Sequence, residues 1–258
     1  MKPRTLFIDI ETAPTLGYFW GLWKENIGIN QIKKHSHLLS FGAKWLGEKK
    51  LIYQDQSKCK DIENDKNLVL AIRDLLDEAE IVVVQNGDAF DIPTIKTRML
   101  AHGITPFSPF RSVDTLLVAK REFRFTSNKL EYMAEALGCK VKKGKHKEFP
   151  GFDLWKECMT GNNRAWAEMK LYNLDDVIVL EEVYMKMRPW MTNHPNMGIY
   201  VEGEKPVCPN CSGKVQHRGT KYTATGIFKQ YHCLECGKYS RSRINDATIA
   251  HRKNQLSG

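Results

Sequence analysis

Arg4-Thr5-Leu6-Phe7-Ile8-Asp9-Ile10-Glu11 is the stretch that decides the fold. Leu6, Ile8 and Ile10 alternate with Phe7, Asp9 and Glu11, the period of two expected of a β-strand, so both carboxylates share one face. Two acids on one face of an apolar strand are unfavourable if buried, because like charges in a low dielectric raise each other's pKa or require a cation. A hard metal ion removes that conflict.

Outward from this strand, residues 37–45 and 50–54 read as two strands turning at Gly47. Lys66–Asp77 has helical periodicity, and residues 80–85 form an apolar, β-branched run of buried-strand type. Residues 91–102, 113–122 and 128–137 read as helices, the last closed by Gly138. Strands preceding helices predict an α/β layered domain. Residues 140–150, rich in Lys and Gly, read as a loop, and residues 162–188 as a long helix ending before Pro189. At about 100° per residue, Trp166, Met169, Val177, Leu180, Tyr184 and Met187 fall within roughly 80° of one another and predict its buried face. Tyr172 and Asp176 stack on one edge of that stripe, whereas Asp175 points about 100° away. Asp176 is therefore the acid aimed at the body of the domain.

The strand at 80–86 runs into Asn86-Gly87-Asp88-Ala89-Phe90-Asp91-Ile92-Pro93, which sets a further acid at a strand-to-helix junction. With Asp9, Glu11 and Asp176 this makes four carboxylates on three elements. Oxygen-only ligands favour Mg²⁺ or Mn²⁺ over zinc.

Phe7-Ile8-Asp9-Ile10-Glu11-Thr12, then Asn86-Gly87 with Phe90-Asp91, then Tyr172-Asn173-Leu174-Asp175-Asp176 resemble, in order and distance, the three motifs of the tyrosine branch (DEDDy) of the DEDD exonucleases. The middle stretch is similar to the proofreading domain of family B DNA polymerases: Val113-Asp114-Thr115-Leu116, Phe125, Ser127, Lys129-Leu130 and Ala134-Glu135-Ala136-Leu137-Gly138. The resemblance covers residues 4–188 and implies a ribonuclease H-like fold, a mixed five-stranded sheet flanked by helices. It implies 3′ to 5′ removal of nucleotides by two metal ions held by Asp9, Glu11, Asp91 and Asp176, with Asp9 bridging and Tyr172 positioning the attacking water. Leu171 stands five positions before Asp176, where the histidine branch requires His. Thr12, Asn86, Phe90 and Lys129 are the implied substrate contacts; for Lys129 a solvated lysine reads equally well. Asp114 supports the site or merely starts a helix. The aromatic run Tyr18, Phe19, Trp20, Trp23 either stacks bases or fills a core, and core packing is the expectation.

The chain of 258 residues carries a net charge of +9. Residues 205–258 hold ten Lys and Arg against two acids, a net +8, leaving +1 for the preceding 204 residues. A nearly neutral body with a basic tail is the pattern of a small module that meets a polyanion. Lys140, Lys142, Lys143, Lys145, His146 and Lys147 make a second basic cluster, read equally as phosphate-tracking or as solvated surface.

Four of the seven cysteines lie in the tail as Cys208-Pro-Asn-Cys211 and Cys233-Leu-Glu-Cys236, with 21 residues between the pairs. Two C-x₂-C knuckles predict four thiolates on one structural Zn²⁺, a closed tetrahedral site whose metal supplies the folding energy of a segment too short for much core. Residues 207–243 are similar to the zinc ribbons of transposases. Cys59, Cys139 and Cys158 read as unpaired packed thiols, since an odd cysteine count argues against a disulfide framework.

The expected organisation is an exonuclease domain over 1–190, a linker over 191–206, the ribbon over 207–243 and a basic tail over 244–258. No window approaches about 18 apolar residues, and the first dozen residues lack a secretory core, so no membrane association and a cytoplasmic location are expected. The expected partner is nucleic acid, single-stranded DNA ahead of RNA, with a replication or repair protein as the other partner open to the ribbon. The competing function is a non-catalytic adaptor that binds nucleic acid through the ribbon.

Overall fold

The structure, a computed structural model, describes residues 3–141, 148–224, 226–254 and residue 256. It divides into two compact units, residues 4–184 and residues 185–258 together with the first three.

In the larger unit, β1 (Thr5–Thr12) lies at the centre of a five-stranded sheet. A small excursion follows, in which β2 (Leu16–Gly17) pairs with β3 (Ile32–Lys34). Then come β4 (Leu38–Trp45), β5 (Leu51–Asp55), helix α1 (Lys66–Asp77), β6 (Ile81–Val84), α2 (Asp91–Ala101) and β7 (Arg111–Asp114). The helices α3 (Thr115–Glu122), α4 (Leu130–Ala136), α5 (Asp153–Met159) and α6 (Asn163–Met187) complete the series. The sheet order is β5-β4-β1-β6-β7, with β1 antiparallel to β4 and parallel to β6. This is the mixed, helix-flanked sheet expected from the motifs. Gly47, at φ +85°, makes the β4–β5 turn in a conformation that side chains resist.

The two faces of β1 have different jobs. Leu6, Ile8 and Ile10 join Phe41 and Ala43 of β4 under α1 and α2, whose Val69, Ile72, Leu76 and Ile95 are fully buried. Phe7, Asp9 and Glu11 face the other way, opposite Lys44, Gly42 and Ser40 of β4. Along that face α6 tracks β4: Asn173 meets Ser40, Val177 lies over Gly42, Glu181 pairs with Lys44, and Tyr184 sits edge-on to Phe7. Four helical residues rise about 6 Å and two strand residues about 6.6 Å, so the contacts stay in step. Gly42 permits the approach, because a Cβ there would lie 2.9 Å from the Asn173 carbonyl oxygen.

The helix stripe expected over residues 166–187 is buried as predicted, and Asp176 is buried while Asp175 is half-buried. Two expectations are corrected, and one helix is added. Val113 and Asp114 are not helical: residues 111–114 pair with Ile81–Val84 as the parallel strand β7, and Asp114 then caps α3 by accepting from the Leu116 and Leu117 amides. Helix α5 was not anticipated, its seven residues being too few for a periodic signal. Tyr18, Phe19, Trp20 and Trp23 are not core residues; they lie exposed on the β2–β3 excursion, and Trp20 and Trp23 are 96% and 87% exposed. Of the lysine-rich cluster, Lys142, Lys143, Lys145, His146 and Lys147 lie outside the described residues.

The smaller unit contains a three-stranded antiparallel sheet of β8 (Val215–Thr223), β9 (Gly226–Cys233) and β10 (Tyr239–Arg241), and a short helix α7 (Ile249–Lys253). Residues 188–200 are tied to it: Asn210 donates to the Arg188 carbonyl, Lys238 to the Met191 carbonyl, and the Met197 amide to the Pro209 carbonyl.

Candidate active site and cysteine centre

Strand β1 supplies Asp9 and Glu11, and α6 supplies Asp176. One oxygen of each lies within 4.8 Å of the others. They line a cleft of about 330 Å³ with Gln85, Lys129, Leu130, Glu131 and Tyr172. The tyrosine shares the cleft because it precedes Asp176 by one helical turn. Asp91, at the start of α2, lies outside this trio but beside it: its Oδ1 accepts the amide of Ile10, the residue between the two β1 acids, at 3.2 Å. Burial pushes the Asp91 carboxyl up to about 7, with Asp114 adding to the rise and the Ile10 amide opposing it. Three carboxylates this close, one of them buried, form an all-oxygen donor set suited to a hard divalent cation.

Two partly buried contacts orient these acids. Asn173 donates from Nδ2 to Asp9 Oδ2 at 2.7 Å and to the Asp9 carbonyl at 3.2 Å, while its own Oδ1 accepts from Ser40. Trp155 of α5 donates from Nε1 to Glu11 Oε2 at 3.0 Å and sets its ring edge-on to Tyr172, centroids 5.9 Å apart. Neither was singled out from the sequence. Asn173 had a signal, a polar residue in the middle of the apolar stripe of α6. Trp155, 144 residues from its partner, had none. Gln85 was also missed; it lines the cleft and donates to the Asn128 carbonyl.

Of the implied substrate contacts, Lys129 lines the cleft. Thr12 follows the trio directly, at an irregularity in the β1–β4 register. Asn86 and Phe90 are exposed on the β6–α2 connection. Asp114 holds that connection by accepting the Asn86 and Asp88 amides, in addition to capping α3.

In the smaller unit one sulfur from each of Cys208, Cys211, Cys233 and Cys236 lies within 4.8 Å of the others. Cys208 and Cys236 approach to 3.6 Å, Cys211 and Cys233 to 3.5 Å. Four sulfurs about 2.3 Å from a tetrahedral zinc would stand roughly 3.8 Å apart, so these spacings fit an ion, and they are far beyond the roughly 2.05 Å of a disulfide. Amides of Gly213 and Cys236 donate to the Cys211 and Cys233 sulfurs, each at 3.4 Å. Burial, with Cys236 contributing, pushes the Cys208 thiol up to about 11, and burial raises Cys211 further. Cys233 is shifted the other way: burial would raise it, but hydrogen bonds from the Cys236 and Glu235 amides outweigh burial and lower it. Four thiolates at these spacings would repel one another, a conflict that a cation removes.

The sequence model of the RNase_H superfamily matches residues 6–188, most of the chain. The chain belongs to that superfamily. Among solved structures it is similar to the family B DNA polymerase of the hyperthermophilic archaeon Pyrobaculum calidifontis, with a TM-score of 0.51 and 16% identity over 72% of this chain. That likeness is one of fold, and the RNase_H chain spans about a quarter of the polymerase, 25% of its length. No curated protein matches the sequence. Among the described residues no helix is long and apolar enough to cross a membrane.

Proposed function

We propose that this protein is a metal-dependent 3′ to 5′ exonuclease of the DEDDy type that hydrolyses phosphodiesters at single-stranded nucleic acid ends, DNA ahead of RNA. The observation that carries the reading is the convergence of Asp9, Glu11 and Asp176 within 4.8 Å, in a cleft also lined by Tyr172. Membership of the RNase_H superfamily supports a nuclease-type function, and the resemblance of the three motifs supports the finer assignment.

In this reading Asp9, Glu11, Asp91 and Asp176 would hold two Mg²⁺ or Mn²⁺ ions. Such ions, when bound, lower the pKa of the attacking water and stabilise the departing 3′ oxygen. The chain's own residues do the rest. Asn173 and Trp155 donate hydrogen bonds that fix one oxygen each of Asp9 and Glu11, so those acids need no reorientation at the moment of reaction. The Tyr172 hydroxyl orients the nucleophilic water by hydrogen bonding, a role that an ordinary phenol fills. Lys129 brings a positive charge to the same cleft for the phosphate. The four cysteines hold a structural Zn²⁺, and the basic ribbon around them binds nucleic acid or an acidic partner protein.

The test is a 5′-labelled single strand incubated with Mg²⁺ or with EDTA, in deoxy and ribo forms and with free or blocked 3′ ends. The expected result is a Mg²⁺-dependent ladder shortened one nucleotide at a time from free 3′ ends. Mobility shifts without shortening under every metal condition would replace the nuclease with a binding adaptor.

A further inference from the structure

Between β1 and β4 the chain makes an excursion over residues 13–37 whose most apolar side chains are exposed. It departs from Thr12, next to Glu11, and returns at Leu38, which pairs with Thr12. Its root is ordered: the Ala13 amide donates to the His37 carbonyl, Ser36 Oγ to the Ala13 carbonyl, and β2 pairs with β3. Tyr18 and Gln31 then exchange two hydrogen bonds, the Tyr18 amide to the Gln31 carbonyl and Gln31 Nε2 to the Tyr18 carbonyl, both at 2.9 Å. Beyond this stalk stand Trp20 and Trp23, almost fully exposed, beside Tyr18 and Phe19. Rings of this size are ordinarily buried, so leaving them in water at the end of an ordered stalk calls for an occupant.

We infer that this arm is a stacking platform for the bases of the single strand whose 3′ end enters the carboxylate cleft, an inference that rests on the nuclease reading. Three features select nucleic acid as the occupant. The arm is rooted one residue from Glu11, so a strand leaving the cleft has it at hand. Its five residues from Ala13 to Gly17 reach at most roughly 17 Å, about five nucleotides at 3.4 Å each. Residues 13–37 hold Lys24, Lys33 and Lys34 against the single acid Glu25, in a unit that is otherwise near neutral. Lys34 is paired with Glu63, while Lys33 lies 5.8 Å from the centre of the Tyr18 ring, which sets one cation beside an aromatic face of the arm. Exposed rings with cations nearby serve single strands of any sequence, since every base offers a π-face.

The test compares the full-length wild type with the double variant Trp20→Ala/Trp23→Ala, whose exposed positions leave the core untouched. Binding of a fluorescent 12-nucleotide oligodeoxythymidylate is measured with Ca²⁺ in place of Mg²⁺, and hydrolysis is measured on that strand and on the p-nitrophenyl ester of thymidine 5′-monophosphate. The expected result is at least about tenfold weaker binding and a matching rise in KM on the oligonucleotide, with hydrolysis of the ester unchanged because it cannot reach the arm. Unchanged oligonucleotide affinity overturns the inference; if the variant also loses a dimer present in the wild type, the arm is a contact between copies, and if it loses binding to phosphatidylserine vesicles, a membrane contact. Equal losses on both substrates overturn it as well, by making the arm part of the site's scaffold. A wild type that binds the strand but hydrolyses neither substrate removes the nuclease reading while leaving the arm's role in binding intact.

Discussion

The two units gather like-charged ligands by opposite means. In the larger unit the carboxylates sit on a scaffold that exists without them: β1 is sandwiched between a face of fully buried Leu6, Ile8 and their helices and a face fixed by α6. In the smaller unit Cys208, Cys211 and Cys233 themselves form a buried cluster with Val215 and Cys236 packed against it, beside a few other buried apolar side chains such as Met191, Met197 and Phe228. A cation therefore has different work to do in each. In the proposed reading it would complete chemistry on a finished fold in the first, and would hold the fold together in the second.

The sharpest way to break this contrast is to remove one ligand from each centre. Asp9→Ala or Asp176→Asn is expected to lower hydrolysis by about 10³-fold or more, while thermal unfolding of the larger unit stays unchanged or rises slightly, because a like charge has left a crowded cluster. Cys211→Ser is expected to do the reverse. It should release zinc and abolish the β8–β10 hydrogen-exchange protection, yet spare hydrolysis of a mononucleotide ester in the other unit. A folded, zinc-loaded Cys211→Ser protein, or a large drop in melting temperature for Asp176→Asn, would dissolve the distinction.

The same contrast governs what the sequence reveals. The cysteine centre is legible because each ligand pair is local: two knuckles, each closed by the amide of a nearby residue. The strand of Asp9 and Glu11 is legible from its period of two, and the buried face of α6 from its helical period. What eluded reading depends on tertiary partners. Residues 111–114 become a strand only because Ile81–Val84 offers an edge to pair with. The aromatic run Tyr18 to Trp23 looks like core by composition, and nothing local says that it lies exposed. Asp65 could not be picked from the sequence either, though it is fully buried and accepts from the Leu38 amide, Arg98 and His102.

Asp65 provides a smaller, graded test, because acid attacks the two units through different groups. Burial alone would raise its pKa, but hydrogen bonds from Arg98, the Leu38 amide and His102 outweigh burial and hold it below 3.8. A depressed carboxyl contributes its full stability above the unfolded value and loses it as pH falls through the folded one. The larger unit should thus keep that contribution down to about pH 4, whereas the thiolates give up their metal at milder acidity as protons compete for sulfur. Ordered acid titration followed by far-UV dichroism and zinc release should show the smaller unit lost first. Asp65→Asn should destabilise the larger unit by about 3–5 kcal/mol at neutral pH, by leaving Arg98 without its buried partner, and should flatten its acid limb. Simultaneous loss of both units would argue that one fold depends on the other.

The mildest perturbation probes how each centre holds its ligands in place. The sulfurs are served by backbone amides of their own knuckles, so side-chain changes nearby leave that geometry intact. The β1 acids are served by side chains from far along the chain, and Trp155→Phe removes one such donor from Glu11 while keeping an aromatic ring against Tyr172. A hydrogen bond to a charged acceptor contributes about 1.5–3 kcal/mol, and loss of a group that orients a metal ligand typically costs 10- to 100-fold in affinity or activity. The expected outcome is about a tenfold rise in the Mg²⁺ concentration for half-maximal hydrolysis, with a smaller change at saturating Mg²⁺ and little change in melting temperature. A drop in melting temperature with an unshifted Mg²⁺ midpoint would make Trp155 a packing residue only, leaving Asn173 as the side chain that orients the pair of acids on β1.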